Sequence, residues 1–149
     1  MNSLLFFTVM QLIMANEGFR AEPYKIQGIW HIGYGYNLEA RRPDLDNYDH
    51  LTWTKAEAFF QLEADVKAVD LRLRVRLSCY KQLPGHVRAV LLDMAYNLGF
   101  GGLMKFEELL TALCVKDYET AAKEILDSEY ASDVPNRAAR NIKILKEGI

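Results

Sequence analysis

The segment from Asn16 to Leu38 reads NEGFRAEPYKIQGIWHIGYGYNL and is predicted to join the end of one helix to a hairpin. An apolar pattern of helical period runs from Leu4 to about Asn16 and stops at Gly18, a residue typical of a left-handed helix C-cap. Glu17 is therefore predicted in the last helical turn. The negative end of the helix dipole disfavours a charged carboxylate there. A carboxyl group that keeps its proton is suited to general acid catalysis.

The sequence changes to a period of two between Ile29 and Tyr36, which predicts a β-strand. Gln27-Gly28 predicts a hairpin turn before it. One predicted face carries Trp30, Ile32, Tyr34 and Tyr36, and the other carries Ile29, His31, Gly33 and Gly35. Because glycines have no side chain, His31 is expected to lie beside open space.

Each of these signals is weak alone, since a lone glutamate at a helix end is usually a solvated charge and a lone strand histidine is usually structural. The ordered string Glu-Gly-Phe-Arg, Tyr-Lys and Trp-His-Ile-Gly-Tyr-Gly-Tyr is more specific. It resembles the active-site segment of phage-type lysozymes, glycoside hydrolase family 24. In that family a helix-ending Glu-Gly precedes a short hairpin carrying Tyr-Thr-Ile-Gly-x-Gly-His or a close variant.

Two later motifs resemble the same family. Met-Ala-Tyr-Asn-Leu-Gly at 94–99 resembles a Phe-Asn-x-Gly element that lines the sugar cleft, and Val-Pro-Asn-Arg-Ala at 134–138 resembles a Thr-Pro-Asn-Arg-Ala element. The second match implies that Arg137 pairs with Glu17 and supports the site. Considered separately, Asn97 would be a helix-end residue and Arg137 a surface cation. Three motifs in order across nearly the whole chain favour the functional interpretation.

The resemblance implies an α+β, mostly α fold with two lobes. The implied parts are a small β-hairpin lobe at about 17–54, a connecting helix at about 55–73, and a helical lobe at about 77–149 with the N-terminal helix 3–17. A long helical pattern from Leu51 to about Arg72 agrees with the connecting helix, and Thr54-Lys-Ala-Glu57 is a capping box that starts a helix at Lys55. Further helices are predicted at His86–Leu98, Phe106–Val115, Tyr118–Glu129 and from Pro135 onward.

Composition restricts the class of partner. The 149 residues are half hydrophobic and carry a net charge of -2, without the clustered basic surface that nucleic-acid binding requires. The apolar start, Met1–Ala15, lacks the positive leading region of a signal peptide and is shorter than the roughly 20 residues of a membrane helix. We therefore expect a buried helix, no stable membrane insertion, and a monomer made in the host cytoplasm that reaches the cell wall at phage-driven lysis.

The cysteines and histidines predict neither a disulfide scaffold nor a metal site. Cys79 and Cys114 are the only cysteines, and free buried thiols are favoured over a bridge. His31, His50 and His86 are far apart in sequence and show no metal-ligand spacing. No cofactor is expected.

The implied activity is that of a muramidase that cleaves the β-1,4 bond between N-acetylmuramic acid and N-acetylglucosamine in bacterial peptidoglycan. Glycoside hydrolysis normally needs an acid for the leaving oxygen and a second group for the attacking water or the sugar centre. Glu17 matches the family's acid. The family's aspartate, nine positions later, corresponds to Ile26, and its threonine aligns with His31. The remaining matches imply substrate-binding roles for Tyr24, Gly33, Tyr36, Leu38, Tyr96 and Asn97.

The missing aspartate leaves three interpretations open. His31 could act as the base or the nucleophile, because an imidazole titrates near working pH. Glu17 could act alone, with the sugar's own C6 hydroxyl attacking as in lytic transglycosylases. Alternatively, the chain could be an inactive glycan-binding or structural module. Glu22 is the one nearby acid that could replace the lost aspartate.

Overall fold

The computed structural model describes residues 1–149 and has an α+β fold that is mostly helical, as predicted. Three strands form one small sheet: β1 (Arg20–Ile26), β2 (Ile29–Gly33) and β3 (Tyr36–Asn37). The helices are α1 (Ser3–Glu17), α2 (Leu38–Arg41), α3 (Lys55–Arg76), α4 (Gly85–Leu98), α5 (Phe100–Met104), α6 (Glu107–Cys114), α7 (Tyr118–Leu126), α8 (Glu129–Asp133) and α9 (Pro135–Glu147).

The chain divides into two compact units. The hairpin unit comprises Met10–Lys67, and the helical unit comprises Met1–Val9 together with Ala68–Ile149. The divisions fall inside α1 and α3, so each of these two helices contributes residues to both units.

The first hairpin follows the turn that the sequence predicts. β1 and β2 pair antiparallel, with Ile26 opposite Ile29 and the two-residue turn between them. Gln27 and Gly28 both have positive φ, at 49° and 82°. Positive φ at both central residues is the requirement of a type I′ turn, whose twist matches that of the flanking strands.

β2 ends at Gly33, so the prediction of one strand running to Tyr36 is wrong. Gly33 and Gly35 have φ of 66° and 79°, a left-handed backbone that interrupts an extended strand. A Cβ on Gly33 would also lie 2.9 Å from the Trp53 ring, which makes glycine necessary at that position. The chain turns at 34–35 and returns as β3, so the alternating faces do not continue beyond Gly33.

The ends of the two long helices agree with their sequence signals. Gly18 has a φ of 68°, and its N–H donates to the Met14 carbonyl at 3.0 Å, which ends α1 directly after Glu17. At the start of α3, the Thr54 N–H donates to the Glu57 carboxylate at 2.7 Å and the Glu57 N–H donates to the Thr54 hydroxyl at 3.1 Å. These reciprocal bonds confirm the predicted capping box.

The helical unit is built around the apolar helix α4. Eight of its residues are buried, among them the residues from Ala89 to Ala95. α4 contacts α5 and α9, and α7 contacts α6, α8 and α9. The sequence predicts α4, α6 and the start of α9 closely, but it misses α5 and α8. Ser128, whose hydroxyl caps α8 by accepting from the Ala131 N–H at 3.4 Å, is the signal that could have separated α7 from α8.

Cys79 and Cys114 form a disulfide, so the prediction of free thiols is wrong. Their Cα atoms are 5.5 Å apart, a normal separation for a bridge, although the residues are 35 positions apart in sequence. Cys79 precedes a short 3-10 turn at Tyr80–Gln82, and Cys114 is the last residue of α6. Sequence spacing alone does not show that the fold brings these two positions together.

Loss of this bridge is expected to destabilise the protein substantially. For a separation of 35 residues, the chain-entropy model gives roughly 4 kcal/mol at 25 °C, and measured effects are typically about 2–4 kcal/mol. The Cys79→Ser/Cys114→Ser variant should therefore show a correspondingly lower free energy of unfolding in urea. Wild-type protein in reductant should match the variant, and the variant should not respond to reductant. Equal unfolding midpoints for oxidised wild type and the variant would contradict this expectation.

None of these helices combines the length of a membrane span with a sufficiently apolar sequence.

Candidate active site

Glu17 is the last residue of α1, and its carboxylate packs against the backbone of Gly35. An added Cβ on Gly35 would lie only 2.8 Å from Glu17 Oε2. Gly35 is therefore required both by its positive φ and by the close approach of this side chain. The turn after β2 thus leaves space for the carboxylate that the sequence marks as a candidate acid.

His31 lies in the middle strand, β2, and is partly accessible to solvent. Its Nδ1 is 2.8 Å from the carbonyl oxygen of Ile29. Since a carbonyl oxygen can only accept, Nδ1 carries the proton and Nε2 of the neutral ring has a free lone pair. No other hydrogen bond is formed by the ring, so Nε2 is available to act as a base or a nucleophile.

Tyr24 lies beside His31 and is close enough to Glu17 to be affected by its charge. Its Cα is directly opposite that of His31, and the two rings have centroids 5.9 Å apart with a tilt of 36°. Burial raises the pKa of Tyr24, and the charge of Glu17 raises it further, while Arg20 and the backbone N–H of Gly35 act in the opposite direction. Tyr24 therefore contacts His31 directly and lies within electrostatic range of Glu17.

The position of the family's aspartate holds no carboxyl group. Ile26 is 46% exposed at the end of β1, and Gln27 after it forms the turn. Glu22, the candidate replacement, is exposed on β1 where the pairing register is interrupted between Arg20 and Tyr24. The two predicted catalytic side chains in the hairpin unit are thus Glu17 and His31, with no second acid at the turn.

The other predicted site residues of the hairpin unit differ in their exposure to solvent. Tyr36 is partly exposed, with its ring 5.0 Å from that of Trp53 and 4.6 Å from the Arg41 guanidinium. Leu38 is 0% exposed, so its side chain belongs to the core and its predicted substrate contact is corrected. Gly33 is also buried, and because it has no side chain it leaves space for the Trp53 ring.

Tyr96 and Asn97 lie near the end of α4 in the helical unit. Tyr96 is partly exposed and Asn97 is exposed, so both side chains are accessible to a ligand. Their role in binding the substrate stays a prediction.

Arg137 is not a surface cation but part of a buried network. Its Nε donates to Asp93 Oδ2 at 3.0 Å and its Nη2 donates to Asp93 Oδ1 at 2.8 Å, a two-point ion pair with side chains 6% and 0% exposed. Asn141 Nδ2 donates to the same Asp93 carboxylate at 2.8 Å and to the Tyr130 hydroxyl at 3.0 Å. Burial, together with the charge of Asp93, raises the pKa of Tyr130 to about 12. The predicted pairing of Arg137 with Glu17 joins the two units and stays a prediction.

Sequence reasoning missed Asp93, Tyr130 and Asn141. A signal for Asp93 was present, because it is the one charged residue in the apolar run from Ala89 to Ala95. A charge inside a buried helix requires a partner, and Arg137 is the partner in the fold.

Comparisons with known proteins agree with this fold and these motifs. A "Probable T4-type lysozyme 1" of Dictyostelium discoideum is 24% identical, over 95% of each chain. The "Pre-baseplate central spike protein Gp5" of Enterobacteria phage T4 is 25% identical over 95% of this chain but only 28% of its own length. The model of the phage lysozyme family matches residues 14–141, which include Glu17, His31 and Arg137. The chain therefore belongs to the phage lysozyme family, whose members act on peptidoglycan.

Proposed function

We propose that this chain is a muramidase that cleaves the β-1,4 bond between N-acetylmuramic acid and N-acetylglucosamine, with Glu17 as the acid and His31 as its partner. The observation that carries the proposal is the grouping of Glu17, Tyr24 and His31 in the hairpin unit, with the Nε2 of His31 free. Membership of the family supports action on peptidoglycan, and Glu17 and His31 supply the chemistry.

In this mechanism the Glu17 carboxyl protonates the oxygen that leaves as the glycosidic bond breaks. The position of Glu17 on the last turn of α1, packed against Gly35, holds the carboxyl at the edge of the hairpin. The proton moves from the carboxyl to the leaving sugar, and the resulting carboxylate is available to take a proton back from water in a later step.

His31 supplies the second function through Nε2. As a base it removes a proton from a water molecule that attacks the anomeric carbon, which inverts the configuration. As a nucleophile it forms a C–N bond to that carbon as the C–O bond breaks, and water then displaces the imidazole, which gives net retention. The hydrogen bond from Nδ1 to the Ile29 carbonyl supports both routes, because it stabilises positive charge on the ring.

A second candidate is lytic transglycosylation by Glu17 alone. The observation that favours it is Ile26, an apolar side chain at the position where the family has its second acid. In this reaction the C6 hydroxyl of N-acetylmuramic acid attacks its own anomeric carbon and gives a 1,6-anhydro product. A third candidate is a glycan-binding or structural module without catalysis, and the same apolar Ile26 at the position of the second acid favours it.

One digestion separates the three candidates. Purified sacculi are incubated with the protein, and the masses of the soluble muropeptides are measured by mass spectrometry. Hydrolysis gives muropeptides with free reducing ends, and transglycosylation gives products lighter by one water. Protein that binds sacculi but releases nothing would identify the binding module and refute the proposed activity.

Replacement of His31 by alanine is expected to lower kcat/KM by about 10²-fold or more, the usual contribution of a general base. His50→Ala is the matched control, because His50 is exposed in the same unit and is expected to leave activity unchanged. Full activity in His31→Ala, especially with anhydro products, would instead support Glu17 acting alone.

A further inference from the structure

His31 has four neighbours that could fix the direction of its ring. Along β2, the residues on the same face are Ile29 and Gly33, and across the sheet the partners are Tyr24 on β1 and Asn37 on β3. Gly33 has no side chain, and Ile29 is 40% exposed. The orientation of the imidazole ring therefore depends on the two cross-strand partners, Tyr24 and Asn37.

Asn37 is committed to a different interaction. Its Oδ1 accepts a hydrogen bond from the Ala40 N–H at 2.9 Å and caps α2. Tyr24, by contrast, lies beside the imidazole, with ring centroids 5.9 Å apart. Tyr24 is itself held in place, because the Arg20 guanidinium lies 4.7 Å from the centroid of its ring.

We propose that Tyr24 is a positioning residue whose ring, anchored by Arg20, holds the imidazole of His31 in the orientation that bonds Nδ1 to the Ile29 carbonyl and leaves Nε2 free. This inference rests on the proposed function, but it concerns a residue that acts through His31. The Tyr24 side chain stays neutral near neutral pH, since burial and the charge of Glu17 both raise the pKa of its hydroxyl. The charged groups that act on Tyr24 are Arg20 and Glu17, of opposite sign.

The test uses two variants that separate the ring from its hydroxyl. Tyr24→Leu removes the ring and should lower kcat by about 10- to 100-fold, the scale of a slightly misplaced catalytic group, with KM little changed. Tyr24→Phe keeps the ring and should retain activity. Tyr48→Leu is the matched control, because it removes an aromatic ring from the same unit that contacts Trp30 rather than His31.

A spectroscopic measurement tests the inference independently of activity. The ¹⁵N chemical shifts of His31 should show the Nδ1-protonated tautomer in the wild type and in Tyr24→Phe, and a mixture of tautomers in Tyr24→Leu. Should the leucine variant fold poorly, Tyr24→Ile, whose β-branched side chain suits a strand, serves instead.

The outcomes are decisive in both directions. An unchanged His31 tautomer in the leucine and isoleucine variants would overturn the inference, even if the protein is an active muramidase. A loss in Tyr24→Phe as large as that in Tyr24→Leu would assign the effect to the hydroxyl and would also overturn it. A wild type without muramidase activity would refute the proposed function, while the tautomer measurement would still decide the role of Tyr24.

Discussion

Replacement of Glu17 by glutamine is expected to lower the rate of peptidoglycan cleavage by about 10²- to 10⁴-fold, the range for loss of a general acid. Glutamine has nearly the same shape and keeps the packing against Gly35, but it has no acidic proton to give to the leaving oxygen. The fold should therefore stay intact. Clearing of a suspension of sacculi measures the rate, and thermal unfolding of the same samples measures the stability.

Glu22→Gln is the matched control for this experiment. Glu22 is an exposed carboxylate on β1, five residues from Glu17, and it is the other acid that could serve the site. Its replacement is expected to leave clearing unchanged. Undiminished clearing by Glu17→Gln would refute the assignment of the acid, and a loss confined to Glu22→Gln would transfer that role to Glu22.

The parts of the fold that the sequence predicted correctly are those determined within a few residues. Gly18 ends α1 because glycine adopts positive φ without steric cost, and Gln27-Gly28 forms the turn for a related reason. The capping box of Thr54 and Glu57 is a reciprocal contact over three positions. Local signals of this kind also placed Glu17 at a helix end and His31 on a strand.

The errors concern contacts between residues that are distant in sequence. β2 stops at Gly33 because the Trp53 ring, 20 positions later, occupies the space of a side chain. The bridge between Cys79 and Cys114 depends on how α6 is placed in the helical unit. Leu38, by resemblance a binding residue, is buried in the core. Periodicity and spacing carry no information about such packing.

Asp93→Ala is expected to lower the free energy of unfolding by about 3–5 kcal/mol, because it removes the buried carboxylate that forms the two-point ion pair with the guanidinium of Arg137. It also removes the acceptor of the hydrogen bond from Asn141 Nδ2. Urea denaturation measures the effect. Asp65→Ala is the matched control, since it breaks a more accessible ion pair with Arg41, in which the side chains of Asp65 and Arg41 are 16% and 46% exposed. Ion pairs in contact with solvent contribute about 1 kcal/mol or less.

A paired replacement shows whether the cost arises from the loss of the ion pair or from the loss of packing. The Asp93→Leu/Arg137→Met variant removes both charges and fills the space with apolar atoms, so it should recover much of the stability that Asp93→Ala loses. If Asp93→Ala costs no more than Asp65→Ala, the network does not stabilise the helical unit. If the double variant is as unstable as Asp93→Ala, the packing of the two side chains matters more than their charge. The double variant could also recover its stability and still fail to cleave peptidoglycan. That result would show that the fold does not need the charge of Arg137 but that the active site does.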